Sequence, residues 1–515
     1  MKIDNIESPN PRKTVLDILE RYFGSETQLK VIFNEILDSS GLSGLDRRFA
    51  FNIVKGTVRY VIRLDFIISF LTKRKLGAID PVILNILRMG VFQLQFMDRV
   101  PSYSIVNESV KLAKLKSPYA SGFVNAVMRK AASVDNADIF LEGLIRKKKL
   151  GQVEVISIRY SYPEWIIEYW MEHYGREKTI KLCRYLNRTP GFYLRVNEVL
   201  AEENKSIAER LRAIGAARID LKTPALGNLQ EDFTKVFEPI AVSAHGGENK
   251  RLFSHAASIA SASGLENTKL FLEGLVTLQD ISSQMGVRYF LDPKPGEKVL
   301  DVCAAPGGKT SFMADLMENM GEIVAVDISD EKIKLLRQNI SRMRSVIVKT
   351  LRADASMSDF LGDEKYHGYF DRIFVDAPCS ALGTISKNPE VKYNKKKEDL
   401  ERLSGNTLAI LSACGPYLKK GGRLVLYTCT ISPVENQQTV EKFIKNNGDE
   451  YIIEKVDRSF FTQGPYGDEA GDQAGSVDNQ VDMQLEIMPY YLGSEGGFVS
   501  VFRKISPNPI PVQAA

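Results

Sequence analysis

The sequence is poor in the residues that build disulfide frameworks, zinc centres and histidine sites. Its 515 residues include five cysteines, four histidines and two tryptophans. No cysteines stand in a C-x-x-C pair and no histidine is close to another, which excludes a disulfide scaffold or a zinc site as the organising principle. The cysteines read as free thiols of a reducing compartment. A run of roughly eighteen apolar residues is missing, and the leading MKIDNIESPNPRKTVLD is polar throughout. A cytoplasmic protein without a membrane partner is expected. The two common nucleotide fingerprints, G-x-G-x-x-G and G-x-x-x-x-G-K-[ST], are absent as well.

What remains is an ordinary globular composition, 44% apolar and 26% charged, in a chain long enough for two or three domains. The net charge of +4 conceals an asymmetry: residues 1–150 hold 24 Lys and Arg against 15 Asp and Glu. A basic N-terminal part on a weakly acidic body points to a polyanion such as RNA or DNA, or simply to solvated helix faces. Residues 1–150 read as helices with apolar residues at i, i+3, i+4 and i+7, among them one long run, RRFAFNIVKGTVRYVIRLDFIISFLTK. The basic IRKKKLG at its end reads as an exposed boundary. Residues 151–275 mix helices such as PEWIIEYWMEHYG with strand-like FYLRVN, and 241–268, rich in Ala, Ser and Gly, reads as a surface insertion or linker. From residue 276 to about 505 apolar strands alternate with amphipathic helices, which predicts a mostly parallel α/β sheet covered on both faces.

In such sheets ligands bind beyond the carboxyl ends of the strands. Asp301, Asp327, Asp354, Asp376, Cys379 and Cys429 all fall at those ends. DVCAAPGGKT is a glycine-rich turn between strand and helix, which lets backbone N–H groups approach a ligand. Asp327, closing the next strand, is placed to accept hydrogen bonds from ribose hydroxyls, so an adenosine-type cofactor without a triphosphate is expected.

Cys183, Cys303 and Cys414 read as small hydrophobes, Cys303 and Cys414 within strands and Cys183 on a helix. Cys379 and Cys429 differ, because each lies where a strand emerges at the ligand rim. A thiolate there is a strong nucleophile when its pKa is lowered. Without a histidine partner it suits addition to an electron-poor conjugated ring better than acyl transfer. The C6 of a pyrimidine is such a centre, and sulfur added there turns C5 into an enamine carbon able to take a methyl group. Asp376 could bond the base edge near N3.

DVCAAPGGKT, DAPCSALGT and YTCTISPVEN resemble the RNA cytosine-C5 methyltransferases, as do LQDISSQ, LRVN and KNPEVKY. The helical part, with GLDRRFAFNIVKGTVRY and LRMGVFQLQFMDRVPSYSIVNESVKLAK, is similar to the NusB-type RNA-binding domain that precedes the catalytic part in the bacterial RsmB (Sun) branch, which acts on 16S ribosomal RNA. The resemblance implies an all-α NusB-like domain at 1–150, a small α+β region at 151–275 and a Rossmann-like methyltransferase domain at 276–505, in a monomer. It implies that Cys429 bonds to C6 and that Cys379 assists release of the product. It also implies that S-adenosylmethionine lies on Cys303, Ala304, Ala305, Pro306, Gly307, Gly308 and Lys309, with Asp327 on the ribose, Asp354 near the adenine and Asp376 near the methionine end and the target base. Thr430, Val434, Ala381 and Tyr393 depart from the family's usual Ser, Glu, Gly and Trp. The same chemistry on transfer RNA, an inactive RNA-binding assembly factor and a redox protein using the two cysteines are the alternatives.

Overall fold

The computed structural model describes residues 9–202, 210, 211, 213, 217, 218, 256–259, 264–457, 480–482 and 484–506. Most of the 241–268 stretch and of the acidic 464–483 segment lies outside these residues. The chain divides into two compact units. One comprises residues 1–188 together with Lys387–Asn394, and the other comprises Thr189–Ser386 with Lys395–Ala515. Among the described residues no helix is long and apolar enough to cross a membrane.

The first unit is all-helical, running from Pro11–Gly24 to Glu164–Leu186. Local sequence sets several helix starts: Asn10, Ser43, Asp80 and Asn136 each accept first-turn backbone N–H groups. IRKKKLG closes the helix Ala137–Lys148, where Arg146, Lys147 and Lys148 occupy the last turn and complement the helix dipole. The long run expected as one helix is two, Gly44–Arg59 and Val61–Thr72, because Tyr60 leaves the helical region (φ −111°, ψ 16°). The orphan groups of this break find partners far away in sequence. Ser161 Oγ accepts from the N–H groups of Ile62 (3.0 Å) and Arg63 (3.4 Å), while Lys392 Nζ donates to the Arg59 carbonyl (3.1 Å).

Lys392 belongs to KNPEVKY, whose turn Pro389–Lys392 is part of this helical unit. Its ammonium is buried and also donates to the Ser161 carbonyl (3.0 Å) and to Asn187 Oδ1 (2.8 Å). Beside it Glu390 pairs with Lys55 (3.1 Å).

The second unit holds two main sheets. A four-stranded antiparallel sheet has the order β2–β3–β1–β4, formed by β1 (Phe192–Val196), β2 (Ala217–Arg218), β3 (Ala256–Ile259) and β4 (Val276–Leu278). The larger sheet contains β5 (Lys298–Val302), β6 (Glu322–Asp327), β7 (Val348–Arg352), β8 (Phe370–Asp376), β9 (Leu418–Thr428) and β10 (Tyr451–Ile453). β11 (Lys455–Asp457) and β12 (Gln480–Asp482) form a separate ribbon, and β13 (Gln484–Ile487) and β14 (Gly497–Lys504) complete the large sheet. Its order is β10–β14–β9–β8–β5–β6–β7; β5 to β9 run parallel and β14 is antiparallel to β9. The apolar strand interiors are buried on both faces, as in VLDV and LVLYT.

Within this sheet β5 leads outward to β6 and β7 on one side, while β8 and β9 lie on the other. The order therefore reverses between β5 and β8, and that is where such sheets open a crevice at their carboxyl ends. Two cysteines expected within strands lie elsewhere. Cys414 does not lie in a strand; it ends the helix Lys397–Cys414, packed in the core with its thiol pKa raised by burial. Cys303 lies just past β5 in a left-handed conformation (φ 61°).

Candidate active site

The crevice is lined first by the turn after β5. Gly307 adopts φ 97°, a conformation that favours glycine, and begins the helix Gly308–Leu316 with no side-chain cap on its first N–H groups. A Cβ on Gly308 would meet nothing within 4 Å. The turn thus leaves backbone donors and room for a ligand. Asp327, the last residue of β6, is buried and accepts from the Ala305 N–H (3.1 Å) and the Ile328 N–H (2.8 Å), with Lys332 3.1 Å away. It thereby ties the glycine-rich turn to the end of the neighbouring strand. Asp354 sits two residues past β7. It is exposed, and Ser356 donates to it from Oγ (2.7 Å) and N–H (3.0 Å), which lowers its pKa. The adjoining Ala353 N–H donates to the Asp327 carbonyl (3.1 Å), so both acids share one rim.

Asp301 is wholly buried in β5. Thr310 Oγ1 donates to its Oδ2 (2.5 Å), its Oδ1 has no hydrogen-bond partner, and burial pushes its pKa up to about 7. This acid supports the turn from beneath rather than presenting itself at the rim.

Across the crevice Asp376 ends β8 and bonds Lys309 Nζ at 2.7 Å. Burial lowers the Lys309 pKa, but Asp376 more than restores it, and the ammonium also sits 4.6 Å from the centre of the Tyr427 ring. Tyr427 is in turn held by Ser282 (3.0 Å) and Ser283 (3.2 Å) of the LQDISSQ stretch. The two cysteines meet here: Cys379 Sγ and Cys429 Sγ are 3.4 Å apart and both are partly buried. The hydrogen bond with Cys379, together with burial and the nearby Asp376 charge, holds the Cys429 thiol well above its ordinary pKa.

Residues outside the sequence-based set brace this pair. The Glu435 carboxylate is buried and accepts from the Ser380 N–H (2.7 Å) and Ser380 Oγ (2.6 Å). Asn436 accepts from Thr428 Oγ1 (2.7 Å) and donates to the Thr430 carbonyl (3.0 Å), fixing the chain on both sides of Cys429. Gly383 donates to the Cys429 carbonyl (3.1 Å), and a Cβ on it would stand 2.1 Å from the Gly496 oxygen. Glu435 and Asn436 are visible in PVEN; Asn436 acts on the nearby end of β9, whereas Glu435 acts on Ser380, which follows a different strand.

Comparison with known proteins identifies the family of the chain. The NusB family model matches residues 9–133, and the ferredoxin-like domain of RsmF/B-like methyltransferases matches residues 162–222. The 16S rRNA methyltransferase RsmB/F model matches residues 288–503. The chain is 30% identical over 505 residues to the probable ribosomal RNA small subunit methyltransferase B of Bacillus subtilis (strain 168), covering 96% of this chain and 98% of that one. It is 31% identical over 420 residues to the corresponding protein of Synechocystis sp. (strain PCC 6803), covering 81% and 85%. In fold it is similar to the crystal structure of PH0851 (TM-score 0.70, 22% identity, 96% and 99% coverage). A methyltransferase homolog protein from Pyrococcus horikoshii has TM-score 0.51 at 23% identity, covering 69% and 100%. The similarity runs along nearly the whole chain, and this protein belongs to the RsmB/F methyltransferases, a family whose cofactor is S-adenosylmethionine.

Proposed function

We propose that this protein methylates C5 of a cytosine in 16S ribosomal RNA through a covalent bond between a cysteine and C6. The observation that carries the proposal is the pair of sulfurs 3.4 Å apart at the crevice, beside the Asp376–Lys309 pair. The cradle after β5 fits S-adenosylmethionine: the uncapped helix start suits an anionic group such as its carboxylate, the open space at Gly308 leaves room for it, and the buried Asp327 can accept from ribose hydroxyls. In this reading Cys303 to Lys309, Asp327, Asp354 and Asp376 hold it, and when bound it supplies an electrophilic methyl group.

The chain's own residues act on the base. RNA bases become accessible when unstacked, and the target must leave its stack before a thiol can reach C6. Cys429 Sγ gives up its proton to solvent water as the base binds, and the resulting thiolate bonds to C6, which moves electron density to C5. Asp376, anchored by Lys309, faces the base edge and fixes its orientation. After C5 is methylated, Cys379, acting as a thiolate once its own proton has passed to solvent, takes up the C5 proton; the C5–C6 double bond reforms and the C6–S bond breaks, returning its electron pair to Cys429. The raised pKa of the Cys429 thiol means that the free protein holds it neutral, so its deprotonation accompanies base binding. The helical unit, NusB-like and rich in basic residues, grips the RNA backbone.

The test uses Cys429→Ala and Cys379→Ala proteins with 16S ribosomal RNA, S-adenosylmethionine and bisulfite sequencing. The first variant is expected to lose methyl transfer while staying folded. The second is expected to trap a protein–RNA species that survives a denaturing gel. A trapped species from Cys429→Ala and none from Cys379→Ala reverses the roles, and methylation at any atom other than cytosine C5 refutes the reading.

A further inference from the structure

Cys379 and Cys429 are carried by separate loops, one after β8 and one after β9. Neither strand by itself sets the distance between their sulfurs. Each cysteine is followed by a hydroxyl residue, Ser380 and Thr430, and the two hydroxyl oxygens are 2.7 Å apart. Both are buried, and both converge on Glu435, which is only 1% exposed. Its Oε1 accepts from the Ser380 N–H at 2.7 Å, and its Oε2 lies 2.6 Å from Ser380 Oγ and 3.4 Å from Thr430 Oγ1. Each hydroxyl has a single proton. An ionised carboxylate can only accept, so Ser380 donates to Glu435 and is left to accept from Thr430. The result is a directed chain, Thr430 to Ser380 to Glu435, that joins the residue after one cysteine to the residue after the other. Asn436, one position on, holds only the Cys429 side, bonding Thr428 and the Thr430 carbonyl on either side of that cysteine.

We propose that Glu435 is a positioning residue of the transfer reaction: by tying the residues that follow both cysteines to one buried carboxylate, it holds the attacking and releasing thiols within reach of the same base. This deepens the function proposed above and rests on it for the role of each thiol. The bracing itself does not depend on that function. A carboxylate in such a buried place, serving only general stability, would affect all steps alike. A brace between two thiols affects those events that need both sulfurs at once.

Two measurements separate these cases. The first needs no RNA. Phenylarsine oxide bridges two close thiols, forming two As–S bonds and releasing water, so its bridging rate reads their proximity. Glu435→Ala should slow bridging by about 10-fold or more, since misplacement by an ångström removes most of the advantage of held reactants. Alkylation of each cysteine alone by iodoacetamide, measured in the Cys379→Ala and Cys429→Ala backgrounds, should stay within about twofold, because it needs a single sulfur. Glu435→Gln keeps the shape and an acceptor for the Ser380 N–H, so it should restore part of the bridging rate; it also serves if the alanine variant fails to fold. The second measurement uses 16S ribosomal RNA with S-adenosylmethionine. Glu435 variants should accumulate the denaturant-stable protein–RNA species that wild type clears. Wild-type bridging rates in folded Glu435 variants overturn the proposal. Slowed bridging with no covalent RNA species from any variant, Cys379→Ala included, leaves the brace standing and overturns the adduct reading instead.

Discussion

Replacing Lys392 by methionine tests the seam that holds residues 387–394 inside the helical unit. Methionine keeps the volume of the side chain and its apolar stem, and removes three donors. Those donors reach the Arg59 carbonyl (3.1 Å), the Ser161 carbonyl (3.0 Å) and Asn187 Oδ1 (2.8 Å). The Tyr393 hydroxyl lies 3.4 Å from the first carbonyl and 3.2 Å from the second, and its single proton can serve only one of them. The substitution therefore removes the donor from Asn187 Oδ1 and from one of the two carbonyls, each at a cost of about 1–3 kcal/mol. Burial pushes the Lys392 pKa well down, so relief from desolvating a charge offsets part of this. A net loss of roughly 2–4 kcal/mol in the local opening of this segment follows. In hydrogen exchange read by mass spectrometry, peptides covering 387–394 and the start of the helix Val61–Thr72 should exchange about 30- to 1000-fold faster. Unchanged protection in both peptides would refute the assignment of Lys392 as the seam.

Two further predictions concern the second unit. Arg195 and Asp315 form a buried pair (3.2 Å, each side chain 1% exposed), with Gln279 and Ser311 completing the guanidinium's partners. Burial pushes the Arg195 pKa down to about 10 and raises that of Asp315, so each charge depends on the other. Arg195→Ala should cost about 2–4 kcal/mol in urea denaturation by leaving a buried carboxylate met only by the Glu198 and Val199 N–H groups, and a loss below about 1 kcal/mol would contradict this. Ala381 holds φ 59°, a left-handed conformation that costs roughly 1–2 kcal/mol for a residue with a Cβ. Ala381→Gly should raise the melting temperature by about 1–3 °C, after its extra unfolded-state entropy is deducted. A lower melting temperature would show that the strain is absent.

The sequence reveals most clearly what is encoded locally. The apolar runs VLDV, IVAVD, RIFVD and LVLYT mark strands that are buried on both faces, and the residue closing each run falls at the rim because strands end where apolar residues end. That is enough to bring Asp327, Asp376 and Cys429 to one edge. Local pattern fails where the partner comes from elsewhere. The break at Tyr60 interrupts good helical periodicity, and what stabilises it is a serine 99 positions beyond Ile62 and a lysine 333 positions beyond Arg59. Cys414 follows LAILSA, an apolar run that fits a buried helix end as well as a strand. Glu435 stands in plain view in PVEN, yet its function exists only because Ser380, 55 positions earlier, folds beside it.

The inclusion of residues 387–394 in the helical unit has a consequence for cutting the chain. Three peptide connections, at 188–189, 386–387 and 394–395, join the two units where an ordinary tandem arrangement would have one. A protease nick at 188–189 should leave the helical fragment still gripping the lysine-bearing segment of the other fragment, so the halves should copurify. A gene truncated before residue 189 would lose the cage around Lys392, leaving a buried-type ammonium and its turn in water. Chimeras that exchange the helical part between relatives would keep a matched cage only by moving 1–188 and 387–394 as one cassette, although nearly two hundred residues separate them in the gene.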